Sequence, residues 1–176
     1  MTAYVALLRA VNVGGTGKLP MTVLTAMCEA EGFESVKTYI ASGNVVFRTT
    51  RDEAAVKAAL ESRLLAFAGK PVGVLVRTAG EMIAVLAHNP FPDAAPNRAT
   101  AIFLDSAPPV DLMDGVTHQR DERIAPGARE IYVTYGSGMD DSKLKIRAAA
   151  EGTARNMNTI AKLAEMARVL EESSAP

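Results

Sequence analysis

The chain has 176 residues, enough to bury most of its apolar surface in one domain or in two small ones joined. Its 19 basic and 20 acidic side chains leave a formal net charge of -1, so the whole molecule exerts no attraction on nucleic acid or an anionic membrane, and such a partner would need a local patch. A single cysteine, Cys28, excludes an internal disulfide, and His88 and His118 leave no ligand set at zinc spacing, so no metal or cofactor is expected.

From Met1 the chain enters "YVALLRAV", residues 4 to 11, a short apolar run that suits a strand covered on one face and flanked by other strands. The run is too short for a signal peptide or a membrane span and ends in charge at Arg9, which points to the cytoplasm. A polar loop, "RAVNVGGTGKLP", follows. Pro20 at a helix start, apolar residues at Val23, Leu24, Met27 and Ala30, and Gly32 at the end then predict a helix near 20 to 31. "VKTYIASGNVVFRTT" reads as two strands around Gly43-Asn44, a dipeptide suited to a two-residue hairpin. Asp52 caps a second helix carrying Val56, Ala59, Leu60, Arg63 and Leu64, and "PVGVLVRT" is a fourth strand.

Strand, helix, strand, strand, helix, strand is the ferredoxin-like, split βαβ order. It places the first and third strands at the centre of an antiparallel sheet and the second, with Lys37, at an edge. The first two strands then point the same way. The loop Asn12 to Lys18 and the turn Ser42 to Asn44 should therefore be neighbours.

Residues 78 to 172 read as a second α+β subdomain after a first of 1 to 77, with 173 to 176 a frayed tail. Thr78-x-x-Glu81 is a capping box opening a helix, and "NPFPDAAPN" is a proline-rich connection. "TAIFLD" is a strand and Pro109 to Val116 a short helix. Glu122 to Ile124 with "REIYVTY" forms a hairpin across Pro126-Gly127. Helices are expected at Asp141 to Ala150 and from about Asn158 to Glu171. The fold class is thus α+β, two ferredoxin-like subdomains with mainly antiparallel sheets and C-terminal helices.

Residues 12 to 19, "NVGGTGKL", fail the phosphate-binding P-loop pattern at both ends, where Asn12 replaces glycine and Leu19 replaces the magnesium-binding hydroxyl. A weaker property survives: glycines bare backbone N–H groups and Lys18 adds a charge at a helix start, which favours an anion, although a plain strand-to-helix turn explains the glycines equally. "GSGMDD" lacks a dinucleotide fingerprint. Ser142-x-x-Lys145 has the spacing of acylase serine-lysine pairs without their companion motifs, and Ser142 is also placed as a cap. Cys28 falls among apolar residues as core filler.

Lys143 to Arg168 holds six basic residues (Lys143, Lys145, Arg147, Arg155, Lys162, Arg168) against Glu151 and Glu165. Within it, "TARNMNT" sets Arg155, whose planar fork suits phosphate or carboxylate, beside Asn156 and Asn158, either of which can cap the last helix.

"YVALLRAVNVGG", "TYIASGNVVF", "HNPF", "IYVTYGSGMDDSKL" and "GTARNMNTIAKL", in that order, resemble the bacterial family of domain of unknown function 1697, over roughly residues 4 to 167. The resemblance implies a small cytoplasmic protein of two ferredoxin-like subdomains and no assigned activity. Its recurring polar motifs fall here on Arg9, Asn12, Gly14, Gly15 and Lys18, on Ser42, Gly43 and Asn44, and on Ser142, Lys143, Thr153, Arg155, Asn156, Asn158 and Thr159. Met157 stands where the family commonly has tryptophan. If that indole meets a ligand, binding here is altered; if it fills core, methionine is a mild exchange.

The expected function is binding of a phosphate- or carboxylate-bearing small molecule at a polar surface of Arg9, Asn12, Gly14, Gly15, Lys18, Ser42, Gly43, Asn44, Lys143, Arg155, Asn156, Asn158 and Thr159. A nucleic-acid-binding module ranks below it, because only Phe47 among the central strands could stack a base. An enzyme with Ser42 or Ser142 as nucleophile beside Lys143 or Lys145 lacks a predictable acid or base partner. The chain is expected to be a monomer or a homodimer without a membrane partner.

Overall fold

The computed structural model describes residues 1–12 and 18–173. The described residues form ten strands and four α-helices, and the chain divides into two compact units, Met1–Ile83 together with Lys162–Pro176, and Ala84–Ala161. The division falls inside two helices rather than at a linker, so the chain leaves the first unit and returns to it.

In the first unit, β1 (Thr2–Leu8), α1 (Met21–Ala30), β2 (Glu34–Thr38), β3 (Asn44–Thr49), α2 (Glu53–Ala68) and β4 (Val74–Thr78) follow one another. The antiparallel sheet has the order β2-β3-β1-β4, the one the split βαβ reading requires, with β2 and its exposed Lys37 at an edge. Register puts Tyr4, Ala6 and Leu8 between Phe47 and Val45 on one side and Val76 and Val74 on the other. These pack with Leu24, Met27 and Cys28 of α1 and Val56, Leu60 and Leu64 of α2 into one core. The expectation that β1 is covered on one face is corrected: Ala3, Val5 and Leu7 on its other face are buried as well, which is why the run is continuously apolar.

Local signals set the helix ends. Asp52 accepts from Ala55 N at 2.8 Å as the cap of α2, and Gly69 ends it with φ 70° and its N–H on Leu65 O. The capping box is reciprocal: Thr78 N donates to Glu81 Oε2 at 2.8 Å and Glu81 N to Thr78 Oγ1 at 3.2 Å. It opens α3 (Ala79–Ala87).

The hairpin between β2 and β3 is not the two-residue turn expected. Tyr39 to Gly43 make the connection, and Asn44 is the first, fully buried residue of β3. Its Nδ2 donates to Tyr39 O at 3.0 Å and to Ser42 Oγ at 2.9 Å, closing the longer loop from inside the ladder.

The second unit contains β5 (Ala99–Phe103), β6 (Val116–Thr117), β7 (Arg123–Pro126), β8 (Glu130–Thr134), β9 (Lys145–Ile146) and β10 (Thr153–Asn156), then the start of α4 (Met157–Glu172). Its antiparallel sheet has the order β10-β5-β8-β7, the same permutation as the first when its strands are counted in sequence. The connections differ. Pro109 to Val116 was expected as a helix and is a 3-10 turn, Leu112–Gly115, entering β6. Asp141 to Ala150 was also expected as a helix and is instead β9 followed by the 3-10 turn Arg147–Ala149. The physical reason is pairing: Val116 and Thr117 bond to Ile146 and Lys145, and this two-stranded ribbon overrides the helix propensity of the alanines. Ile146, Leu144, Ala148 and Ala149 then cover Ile102, Leu104, Leu112, Ile131 and Val133.

Candidate functional site

The loop after β1 is tied at its base by one side chain. Asn12 sits at φ 54°, a left-handed conformation asparagine tolerates. Its Nδ2 donates to Leu19 O at 2.9 Å and to Ala41 O at 2.7 Å, while its Oδ1 accepts from Leu19 N at 2.7 Å. One amide thus closes the loop and joins it to the β2–β3 turn. Gly43 completes that junction: its O accepts from Leu8 N at 2.8 Å, it lies at φ 84°, and a Cβ there would meet Val11 Cγ2 at 2.5 Å and Leu8 Cβ at 2.8 Å. Asn12, the described start of the loop, is therefore a neighbour of the turn, as β1 and β2 pointing the same way require; residues 13 to 17 lie outside the described residues. Arg9 N donates to Gly73 O at 2.9 Å, tying the segment before β4 to the same end.

Beside this junction lies a cavity of about 410 Å³. Ala10, Val11, Lys18 and Leu19 contribute from the loop base, Leu64, Phe67 and Ala68 from the last turns of α2, and Lys70 and Val72 from the segment leading to β4. Leu64, Leu19 and Val11 are buried, whereas Lys18 and Lys70 are exposed. No carboxylate is among the described residues lining it. Lys18 stands three residues before α1, whose first turn has no side-chain cap.

Of the residues singled out from sequence, Lys18 lines the cavity. Asn12, Ser42, Gly43 and Asn44 build the framework around the loop. Gly14 and Gly15 lie outside the described residues. Lys70 escaped the sequence reading, although a signal existed: β4 runs antiparallel to β1, with Leu8 opposite Val74, so the chain entering β4 must lie at the end where the loop leaves β1.

The remaining residues belong to the second unit. Arg155 is not beside an open helix end but in β10, 8% exposed, donating from Nη1 to Thr153 Oγ1 at 2.6 Å and to Ala154 O at 2.9 Å. Burial brings its guanidinium down to about 10. The cap of α4 is Asn156, whose Oδ1 accepts from Thr159 N at 2.9 Å, and Asn158 is exposed. Lys143 is exposed in the connection before β9. The basic run is not one patch, since Arg155 is buried and Arg168, on the part of α4 that belongs to the first unit, is paired with Glu165 and Glu172.

Other candidates have structural accounts. Ser142 Oγ donates to Glu122 Oε1 and accepts from Leu144 N at 3.3 Å. Glu122 is 4% exposed and also accepts from Arg120 N at 2.6 Å, and these donors, Ser142 first, hold its carboxyl below the usual range. Cys28 is fully buried, and desolvation pushes its thiol up to about 12, so it fills core. Phe47 is stacked on Phe33 with ring centroids 4.4 Å apart and is fully buried, leaving no aromatic face for a base. Met157 is 6% exposed and packs as a core residue. No described helix is long and apolar enough to cross a membrane.

Strand order and cavity together define an α+β protein of two antiparallel-sheet units, the first carrying a recess with a cationic rim. The chain belongs to the family described as protein of unknown function DUF1697, whose model matches residues 1–132. That span contains every described residue of the cavity lining and ends before the Ser142 and Arg155 segments. The chain is similar to a solved structure described as that of the conserved bacterial protein SP0830 from Streptococcus pneumoniae. The TM-score is 0.75 and the identity 21%, over 94% of this chain and 98% of that one, a likeness of fold alone. No curated protein matches the chain.

Proposed function

We propose that the protein binds an anionic small molecule, bearing phosphate or carboxylate, at the cavity of the first unit. The observation that carries this reading is the lining itself: Lys18 and Lys70 are its charged members among the described residues, and neither has an ion pair there. Two uncompensated ammonium groups at one recess raise the local concentration of anions and gain more from a carboxylate or phosphate than either gains alone. Asn12, Gly43 and Arg9 tie the described ends of the segment that carries Lys18, and Gly14 and Gly15 join the reading through its sequence alone. Arg155, Asn156, Asn158, Thr159 and Lys143 lie in the second unit and are not required by it.

Calorimetric titration with inorganic phosphate, a nucleoside monophosphate and a sugar phosphate tests the proposal. Wild type is expected to take up at least one of them. Each of Lys18→Ala and Lys70→Ala should weaken binding about fivefold, the worth of one exposed ion pair of about 1 kcal/mol. A melting temperature unmoved by every anion at millimolar concentration would sink it.

A further inference from the structure

Resting on the reading above, we propose that the occupant is a single-chain amphiphile, an aliphatic chain carrying an anionic head, rather than a polar phosphorylated metabolite. The lining is layered. The buried members are Leu64, Leu19 and Val11, all apolar, while Lys18 and Lys70 stand exposed. On a floor of Leu64, Leu19 and Val11, with no uncharged polar side chain among the described lining residues, a sugar or nucleoside would give up hydrogen bonds to water for little return. An aliphatic chain loses nothing polar there and gains by leaving water. The head then falls at the lysines, and the free energy of each part agrees with its surroundings.

Phe67 supplies the second indication. It lines the cavity with Ala68 and Val72, yet it is 49% exposed, a large apolar ring left half in water at the rim. A chain threading past it would cover that ring. The volume of about 410 Å³ lies toward the lower end of the range for small-molecule sites and suits one short or medium chain, not the paired chains of a bilayer lipid.

The experiment titrates the full chain with inorganic phosphate, butyl phosphate, octyl phosphate and the neutral octyl glucoside, each below its micelle concentration. Octyl phosphate is expected to bind at least about tenfold more tightly than inorganic phosphate, with butyl phosphate between them. It should also bind more tightly than octyl glucoside. Phe67→Ser should reduce the gain from butyl to octyl while leaving inorganic phosphate unchanged. Lys18→Ala with Lys70→Ala should weaken all the phosphates and spare the glucoside. Equal affinity for inorganic and octyl phosphate overturns the amphiphile and leaves the anion site standing. Equal affinity for octyl phosphate and octyl glucoside overturns the anion site, and no binding of any probe overturns both. The chain-length series on wild type decides the matter even if Phe67→Ser does not fold.

Discussion

The two units arrange four antiparallel strands in one and the same order and connect them by different means. In the first, α1 and α2 make the crossovers; in the second, the same two positions are filled by 3-10 turns and the β6–β9 ribbon. Strand order therefore does not depend on helical crossovers. It follows from which strands are apolar enough to be central: β1 and β3 in one unit, β5 and β8 in the other, nearly all buried along their lengths. What the crossovers decide is how regular the covering layer is. Helices bring Leu60, Leu64 and Met27 over the first sheet from two continuous elements, whereas the second is covered from the 3-10 turns and the ribbon by Leu112, Leu144, Ile146, Ala148 and Ala149.

One chemical change made in both layers probes this difference most directly. Leu60→Ala, in α2 and fully buried, is expected to cost about 4 kcal/mol, because a rigid helix cannot sink into the cavity left behind. Leu112→Ala removes the same atoms from a 3-10 turn, where the connection can settle, and should cost about 2 kcal/mol. Urea midpoints of the two variants measure the difference. Equal losses would mean that the irregular layer is packed as firmly as the helical one.

How far sequence reading reached follows the same divide. Most of the first unit was legible because its signals are local: Asp52 and the Thr78-Glu81 box fix helix starts, and apolar periodicity separates strands from helices; only its hairpin was misjudged, because Asn44 is buried in β3 and not in the turn. The second unit hid its crossovers, since the pairing of Lys145 and Ile146 with Thr117 and Val116 joins residues far apart in sequence. Strand β10 was missed for another reason. Its alternation is real, but the inward residues are Thr153 and Arg155, so a hydrophobic pattern cannot show it. Site residues divide likewise: polarity and glycine content exposed the loop, while Lys70, isolated among unremarkable neighbours, emerges only when the direction of β4 is traced.

Both sheets close the end of their first strand with one backbone bond, Leu8 N to Gly43 O at 2.8 Å in the first and Leu104 N to Arg129 O at 2.9 Å in the second. The first adds the Asn12 amide and a glycine at φ 84°, and two substitutions test what these contribute. Gly43→Ala combines a left-handed backbone with a Cβ driven against Val11 and Leu8, and about 3 kcal/mol is expected from strain and overpacking together. Asn12→Ala leaves Leu19 N, Leu19 O and Ala41 O without their partner and should cost about 2 kcal/mol. Asn12→Gly separates causes, since glycine keeps the φ of 54° and restores only the backbone part. If Asn12→Gly were as stable as wild type, the three hydrogen bonds would contribute nothing.

The smallest expected effect contrasts two depressed carboxyls. Glu31, in the first unit, is held low by the guanidinium groups of Arg51 and Arg63; Glu122, in the second, by the Ser142 hydroxyl and the Arg120 backbone N–H. A carboxyl whose folded value lies below its unfolded value binds more protons when unfolded, so its contribution is present above about 4.5 and disappears as pH falls through the folded value. Glu31→Gln and Glu122→Gln should each flatten the acid limb of stability against pH, measured by urea midpoints. Salt then distinguishes them. At about 1 M the Debye length shrinks to about 3 Å, which weakens the partly exposed Arg51–Glu31–Arg63 cluster and leaves neutral donors to the buried Glu122 almost untouched. The difference between wild type and Glu31→Gln should shrink in salt while that for Glu122→Gln persists. Equal shrinkage would show that Glu122 is stabilised chiefly by the charge of Arg120 rather than by the two donors aimed at its oxygens.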